Sequence, residues 1–438
     1  MSNTLQRTPV NKGVGSTWQW MGASLLALTL ATFWGNKLIG AGQALLAVAI
    51  VSALIRKDGK WDSSNFSRST WCLIGFVAFA IVSILANLTD VSDSIGHGRK
   101  LRYELIGLLL LGIVTTRRLF LESRGFRDLA LGAWLIAMVS AGLIGIASFL
   151  WWGKIPLLNE VGYKGRVSGL FGQVMTFAHL LMLSSVVLAA LAISPNAVKR
   201  ITRIPHWVFA AATVFSGICL YFTYTRGAVL GAAAGLFVLA FLHSRKTVIA
   251  LFVIALSFLA YTSKDHFGSG DQSRYFMFHN SLRLNQWTAS ALAFADNPLF
   301  GVGFNQFEPQ SVERKKQYGL PPAKSVGVAP EQEMIYFESH SHNNYLEAFA
   351  GTGLFGGLAF LGFCGFWAYE ALRSRFAMIL FPPVVAFLVS GFFENTFFDS
   401  EVLNGILLFY VVSRIVISQE TTAAGERVTP PLSRPSSA

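Results

Sequence analysis

The sequence predicts an all-α polytopic membrane protein with about twelve transmembrane helices and one long outer loop that contains short helices. Of its 438 residues, 53% are hydrophobic and 13% are charged, and the mean hydropathy is +0.50. A soluble core cannot bury so much apolar surface. The net charge of +12 would suggest nucleic acid for a soluble protein. In a membrane protein the basic residues must first be assigned to the two faces.

Apolar runs long enough to cross about 30 Å of hydrocarbon define the predicted helices. They fall at 17–36, 38–54, 71–88, 104–116, 128–152, 175–193, 207–223, 227–243, 247–262, 344–368, 377–395 and 402–418. The fourth run is short, which is typical of a tilted, kinked or partly re-entrant helix. These runs predict four regions: helices 1–9 in 1–262, the outer loop in 263–343, helices 10–12 in 344–418 and a disordered cytoplasmic tail in 419–438.

The basic residues predict the orientation of these helices. With a cytoplasmic N-terminus, the inner loops and both termini contain roughly 20 of the 35 Lys and Arg residues, as the positive-inside rule requires. An even number of spans then places both termini in the cytoplasm. The remaining basic residues work against this orientation, so we expect many of them to bind an anion. They are Arg99, Lys100, Arg102, Lys154, Lys164, Arg166, Arg226, Arg274, Arg283, Arg314, Lys315, Lys316 and Lys324.

Arg226 interrupts the apolar run 207–243, which would be roughly 55 Å long as one helix. The chain must therefore turn near Arg226, at the outer face. The four-residue spacing of Gly227, Gly231 and Gly235 predicts close approach of another helix. Two interpretations of Arg226 stay open: an interfacial arginine that reaches the headgroups, and an inward-facing phosphate ligand.

The outer side has two further candidate regions. The stretch 162–172 is rich in glycine and includes Arg166, so it is either an anion-binding loop or a plain connection. In the long loop, a helix is predicted at 281–296, with Arg283 near its start and a stop at Asn297-Pro298. The basic cluster 314–316 that follows predicts either an acceptor-binding arm or a solvated surface.

The stretch 338–347, Glu-Ser-His-Ser-His-Asn-Asn-Tyr-Leu-Glu, lies where the outer loop enters the tenth predicted helix. Asn344 and Glu347 have the spacing of a capping box, which predicts a helix start at Asn344. Because a helix N-terminus disfavours protonated histidine and attracts anions, we expect a neutral imidazole at His342 beside a phosphate. Such a group suits a general base. His340 is the alternative, because a shift of one residue in the helix start would exchange their exposure.

Three motifs resemble a known family. His342-Asn343, a spacer through Thr352 and then Gly353-Leu354-Phe355-Gly356 resemble the His-Asn/Ser/Gln…Gly-x-x-Gly signature of bacterial O-antigen ligases, the WaaL family. The sequence 226–230 resembles their Arg-x-x-x-Leu motif. The stretches 283–287 and 297–304 are similar to a region shared by ligases, O-antigen polymerases and bacterial protein O-oligosaccharyltransferases. The resemblance is best over about 166–357.

This resemblance implies a glycosyltransferase of lipopolysaccharide biosynthesis in the bacterial inner membrane, with its active site facing the periplasm. It implies transfer of O-antigen polysaccharide from undecaprenyl pyrophosphate to a sugar hydroxyl of lipid A–core oligosaccharide. The expected partners are these two substrates and membrane lipids, without nucleic acid. The reaction needs a base for the hydroxyl and positive charge for the departing pyrophosphate. His342 is the expected base, with His340 as the alternative, and the expected pyrophosphate ligands are Arg166, Arg226 and Arg283, with Arg99, Lys100 and Arg102 as further candidates.

The sequence contains no Asp-x-Asp, the commonest means of holding a divalent cation at a sugar pyrophosphate. We therefore expect arginines to supply the countercharge, with neither metal nor other cofactor. Direct displacement by the acceptor would invert the anomeric configuration. No carboxylate is predicted as a nucleophile, because Glu338 and Glu347 are explained as loop surface and helix cap.

Several alternatives stay open. A polymerase or a protein O-oligosaccharyltransferase would need the same groups and would differ in its acceptor. His340, His342 and Glu338 could hold zinc, with His279 as a distant fourth ligand. The histidines could also be structural. A lipid-linked sugar transporter is a different class, but the sequence has no convincing repeat, and its polar groups gather at one face, which favours an enzyme.

Overall fold

The computed structural model describes residues 14–56, 60–63, 66–88, 96, 98–155, 165–244, 246, 270–324, 334–336 and 338–428. The ninth predicted span, 247–262, and Lys164 lie outside the described residues, as does the side chain of His279. In the described part the protein is helical apart from loops and one antiparallel pair of two-residue strands, β1 (Ala323–Lys324) and β2 (Met334–Ile335). The predicted all-α membrane class is confirmed.

The first half of the chain forms α1 (Val14–Ala31), α2 (Asn36–Ile55), α3 (Arg68–Ala86), a 3-10 turn (Arg99–Leu101), α4 (Arg102–Gly112), α5 (Val114–Leu121), α6 (Arg124–Trp151), α7 (Val174–Ala192), α8 (Pro195–Ile201) and α9 (His206–Phe222). The second half forms α10 (Arg226–His243), α11 (Gly270–Asp296), α12 (Phe307–Gln317), α13 (Asn344–Arg373), α14 (Ala377–Ser390) and α15 (Ser400–Val428).

Seven helices in the described part are long and apolar enough to cross a membrane: α2, α3, α6, α7, α10, α13 and α15. Counting α8 and α9, which meet at 107°, as one broken span gives eight. The fourth predicted span is short, as expected, and consists of α4 and α5. The eleventh is the short apolar helix α14, which contains Pro382 and Pro383. The count of twelve stays a prediction.

Helix α7 lies at the centre of the bundle. Its sequence is apolar on all sides, and 16 of its 19 residues are buried, as expected for a helix surrounded by others. It packs against α9, α10 and α14, and α10 in turn packs on α14. A Cβ at Gly231 would come within 2.7 Å of the Ala386 carbonyl oxygen on α14. The close helix approach predicted from the glycine spacing is therefore confirmed.

Helix α13 is broken at Gly353, where the sequence predicted an unbroken helix over 344–368. Gly353 has φ 72° and ψ −167°, a conformation that only glycine adopts readily. The break frees the N–H of Leu354, which donates to the Pro298 carbonyl (2.8 Å), while the Ala350 carbonyl accepts from the Val302 N–H (2.8 Å). The loop that follows α11 is thereby fixed to α13 without leaving backbone groups unpaired.

Two predictions for the outer loop need correction. Helix α11 ends at Asp296 as predicted, but it begins at Gly270 and not at 281, because residues 271–280 contain no glycine or proline to stop it. The basic cluster 314–316 is only partly a solvated surface, since Lys316 is exposed and Lys315 is not. It lies in α12, where Arg314 donates to Gln310 and Lys315 is buried.

The N-termini of α7, α10, α13 and α15 lie at one end of the bundle. Backbone and side-chain contacts join the start of α13 to the turn between α14 and α15, and that turn contacts the starts of α7 and α10. Each N-terminus carries partial positive charge and unpaired N–H groups. This end of the bundle therefore favours negatively charged groups.

Candidate active site

The segment that contains the two histidines is fixed to the first turn of α13. The helix begins at Asn344, as predicted, but its cap is Asn343, whose side chain accepts from the N–H groups of Tyr345 (2.9 Å) and Leu346 (3.0 Å). The predicted capping box is therefore wrong. The buried Glu347 carboxylate accepts from the N–H and the hydroxyl of Ser341 instead (2.9 and 2.7 Å).

His342 lies directly before this cap in a left-handed conformation, with φ 48°. A residue other than glycine adopts this conformation at a cost of about 1–3 kcal/mol, and such residues cluster at functional sites. The hydrogen bonds of Ser341 and Asn343 on either side hold the backbone here. The orientation of the His342 ring is therefore fixed by its neighbours.

A turn at 391–399 brings a second element to the histidines. The Asn344 N–H donates to the Gly391 carbonyl (2.8 Å), and the Asn344 amide nitrogen donates to the Thr396 hydroxyl (2.8 Å). The Phe397 N–H completes the junction by donating to the Asn344 Oδ1 (2.9 Å). These bonds place Glu394 beside His342.

Glu394 links His342 to Arg283. One carboxylate oxygen lies 2.9 Å from His342 Nδ1, and the other accepts from the Arg283 guanidinium at 2.6 Å. The Glu394 side chain is only 4% exposed. Burial would raise the pKa of Glu394, but the His342 hydrogen bond and the charges of His342 and Arg283 lower it to about 2. Glu394 is therefore ionised at neutral pH and can only accept hydrogen bonds.

This geometry determines the His342 tautomer. Because the Glu394 carboxylate accepts, Nδ1 must carry the proton, and the lone pair of the neutral ring lies on Nε2. A carboxylate that orients an imidazole in this way is the arrangement used by hydrolases to hold a general base. His342 can therefore accept a proton at Nε2.

His340 lies beside His342, with 4.3 Å between the ring centroids. Its Nδ1 is 3.7 Å from a carboxylate oxygen of Glu308 on α12. Burial opposes protonation, but the interaction with Glu308 and the nearby charges of Glu347 and Glu394 raise the pKa of His340. Two imidazoles in different environments thus share one site.

The pH dependence of activity can distinguish the two imidazoles. Changing Glu308 to glutamine removes a cause of the raised pKa of His340, so that pKa should fall. If His342 is the base, we expect the acid limb of the pH–rate profile to stay in place. A shift of that limb to lower pH would assign the base to His340. Glu313→Gln, an exposed position on the same helix, is the matched control.

The predicted arginines Arg166, Arg226 and Arg283 surround the start of α10. Arg166 donates to the Thr223 carbonyl (2.7 Å) and to the Thr225 hydroxyl (3.1 Å), and Arg226 is the exposed first residue of α10. A Cβ at Gly227 would lie 3.4 Å from Glu394 Cγ. Because Gly227 has no side chain, the start of α10 can pack against Glu394, whose carboxylate binds Arg283.

The other basic candidates differ in position. Lys100 donates to the Asn305 side chain (3.0 Å) and the Phe398 carbonyl (3.1 Å), and it lines a cavity that also borders Glu394. Arg99 is exposed in the adjoining 3-10 turn. Arg102 is not brought to this group, because its guanidinium donates to Gln43 and lies over the ring of Tyr103.

The structure changes one ligand of the predicted zinc site, because Glu394 and not Glu338 lies beside His340 and His342. Ligand atoms of His340, His342 and Glu394 lie within 4.8 Å of one another, whereas Glu338 is exposed on the loop surface as expected. Both oxygens of Glu394 already bind Arg283 and His342. A metal ion would have to displace these bonds, so the geometry favours a hydrogen-bonded base.

One comparison with protein families gave a match. Residues 211–361, about a third of the chain, match the family model described as O-antigen ligase. This part of the chain is therefore similar to O-antigen ligases, and the match supports a place in that family. Comparison with curated proteins found no match. The O-antigen ligase match contains Arg226, Arg283 and both histidines, which the structure gathers at one end of the bundle.

Glu394 lies outside the matched O-antigen ligase region and was missed by the sequence analysis. It falls at the end of the predicted span 377–395. An ionisable residue in an apolar run is a functional candidate by default. That signal could have identified Glu394, but not its partner, because His342 is 52 residues away in the sequence.

Proposed function

We propose that this protein transfers O-antigen polysaccharide from undecaprenyl pyrophosphate to a sugar hydroxyl of lipid A–core oligosaccharide. The reaction takes place at the periplasmic face of the inner membrane, with both termini in the cytoplasm. The observation that carries the proposal is the His342–Glu394–Arg283 arrangement beside Arg226. It combines a proton acceptor with two guanidinium groups, which are the groups that this transfer requires.

In the proposed reaction, His342 Nε2 takes the proton of the acceptor hydroxyl while the hydroxyl oxygen attacks the anomeric carbon. The bond between that carbon and the diphosphate breaks, and the diphosphate leaves with the electron pair. Glu394 stabilises the imidazolium that forms, since its ionised carboxylate lies 2.9 Å from Nδ1. The His342 proton is later released to solvent. A single displacement inverts the anomeric configuration.

Arg226 is the best candidate to neutralise the leaving diphosphate. Its side chain is exposed at the start of α10, close to the Glu394 carboxylate that binds the Arg283 guanidinium. The N-cap of α10, Thr225, makes no side-chain capping bond, so the first turn offers N–H groups as well. A helix N-terminus with an arginine is a suitable phosphate site. Arg166 supports this site by binding the Thr223–Thr225 turn.

Changing Arg226 to lysine should reduce transfer by about 10- to 100-fold. Lysine keeps the charge but lacks the planar fork that binds two phosphate oxygens, which costs about one charge-assisted hydrogen bond of 1.5–3 kcal/mol. Initial rates with purified protein measure the effect. Arg118→Lys, at an exposed arginine in an i,i+4 pair with Glu122, is the control and should transfer at the wild-type rate. Equal rates for the two variants would exclude bidentate phosphate binding by Arg226.

A purified transfer assay tests the proposed function. Lipid-linked O-antigen and lipid A–core are incubated with the protein in liposomes, with and without a chelator. We expect glycan on the lipid A–core in both conditions. Longer donor chains would indicate a polymerase, and glycan on an added acceptor protein would indicate an O-oligosaccharyltransferase. Movement of the donor across the bilayer without a new glycosidic bond would indicate a transporter. Loss of product on chelation would contradict metal independence.

A further inference from the structure

A cavity of about 370 Å³ adjoins His340 and Glu394 on the side of α7 and α15. Its volume is in the range of small-molecule sites. The cavity is bordered by the start of α7, the 3-10 turn and the turn that carries Glu394. Its charged and titratable lining residues are Lys100, His179, Glu308, His340, Glu394, Asp399 and Glu401. Four carboxyl groups and one ammonium group thus surround it.

Two buried side chains that line the cavity have polar atoms without a hydrogen-bond partner. His179 is 2% exposed and Asn395 is 9% exposed, and the atoms concerned are His179 Nε2 and Asn395 Oδ1. His179 Nδ1 lies 2.7 Å from the Met175 carbonyl, so Nδ1 carries the proton and Nε2 of a neutral ring is an acceptor. Both unpaired atoms therefore require a donor. Buried polar atoms without a partner are uncommon and suggest a missing ligand.

The carboxyl groups of the lining disfavour a diphosphate, in spite of Lys100 and the helix N-termini, and the spacing of its ligand atoms disfavours a metal ion. A diphosphate presents acceptor oxygens and negative charge, and here it would face unpaired acceptors and the carboxyl groups of Asp399 and Glu308. A cation would need several ligand atoms close together. Among the described residues, the group that meets this condition is His340, His342 and Glu394, at one edge of the cavity. A sugar fits better, because its hydroxyl groups can donate to the carboxylates of the lining and accept from Lys100.

The direction of the displacement indicates whether the cavity binds the donor sugar or the acceptor sugar. The nucleophile approaches the anomeric carbon opposite the leaving diphosphate. If the diphosphate lies at Arg226, the acceptor hydroxyl must lie on the far side of the anomeric carbon, within reach of the base. His340 lines the cavity, and its ring centroid lies 4.3 Å from that of His342, so a hydroxyl beside His340 lies close to both imidazoles.

We propose that this cavity, lined by Thr176, His179, Asn395 and Asp399, is the binding subsite for the acceptor saccharide. This inference rests on the proposed function and assigns its acceptor side. The Thr176 hydroxyl donates to Asp399 Oδ2 (2.7 Å), while Asp399 Oδ1 accepts from the N–H groups of Glu401 and Val402 at the start of α15. The carboxylate is thus held in place at the cavity wall, where sugar hydroxyl groups can donate to it.

Kinetics with separately varied substrates test the subsite. In Asn395→Leu, the unpaired amide is replaced by a side chain of similar size. We expect the acceptor KM to rise about 3- to 10-fold, the value of one lost hydrogen bond, with the donor KM unchanged. Ser185→Ala is the control, because it removes a buried hydrogen bond to Ser216 outside the lining of this cavity, and it should change neither KM. A rise in the donor KM alone, or no change in either KM, would overturn the proposal.

A binding measurement tests the subsite without catalysis. Gln173 is exposed at the start of α7 and lines the cavity. The rate of thiol labelling of Gln173→Cys is compared with that of the parent protein, which has three native cysteines. Soluble core oligosaccharide should slow the labelling, and inorganic pyrophosphate should not. Protection by pyrophosphate, or no protection, would overturn the subsite. If protection is seen while the transfer assay gives no product, the proposed function fails and the saccharide site stands.

Discussion

Changing His342 to alanine is expected to reduce glycan transfer by about 10²- to 10⁴-fold, the usual contribution of a general base. The physical reason is that Nε2 of the neutral ring can take a proton while Glu394 holds Nδ1. The fold should persist, because the caps of α13 are formed by Asn343 and Glu347 and not by His342. Transfer rates of purified protein measure the loss, and thermal melting in detergent monitors the fold.

His206→Ala is the matched control for this variant. His206 is the exposed first residue of α9, whose other end, at Phe222, approaches the candidate site. We expect wild-type transfer from this variant. Near-normal transfer by His342→Ala would show that His342 is not the general base. In that case the same measurement on His340→Ala would decide whether the neighbouring imidazole carries the role.

Changing Glu394 to glutamine should have an effect nearly as large, about 10²-fold or more. The amide can donate to His342 Nδ1, which would place the proton on Nε2 and remove the base. It also leaves the Arg283 guanidinium without its anionic partner at 2.6 Å. Because the pKa of Glu394 is lowered to about 2, this carboxylate is ionised across the neutral range. Loss of activity as the pH falls from 7 to 6 must then come from another group.

The control for Glu394→Gln is Glu420→Gln. Glu420 pairs with Arg375 at 3.4 Å, in the last part of α15, away from the N-terminal end that borders the site. The Glu420→Gln substitution removes a salt bridge that does not involve the histidines, so the transfer rate should be unchanged. If both variants lose activity equally, the effect is general destabilisation. If Glu394→Gln transfers normally, Glu394 does not orient the base.

Sequence patterns within single segments predicted several helix boundaries and one close helix contact. The helix start at Asn344 follows from a polar pair before an apolar run, and the end of α11 at Asp296 follows from Asn297-Pro298. The close packing of α10 followed from its three glycines. The break at Gly353 could not be predicted in the same way, because it depends on Pro298 and Val302, which bind the freed backbone groups from another part of the chain.

The candidate site was predicted in part. Sequence signals identified the two histidines, which precede a helix start, and Arg226, which works against the positive-inside orientation. They could not reveal that Arg283 is bound to Glu394, or that Arg102 turns towards Gln43, because these contacts join residues 111 and 59 positions apart. The acidic cavity was also not foreseen. Its lining comes from five separate stretches of the chain, which only the packing of α7, α12 and α15 brings together.

The most direct test is a structure of the protein with its lipid-linked donor bound. We predict the diphosphate at the start of α10, with an Arg226 nitrogen about 2.7–3.2 Å from a phosphate oxygen. The anomeric carbon should lie between the diphosphate and His342. The cavity lined by Thr176, His179, Asn395 and Asp399 should remain free for the acceptor. A diphosphate bound in that cavity, or one held away from Arg226 and both histidines, would contradict the account.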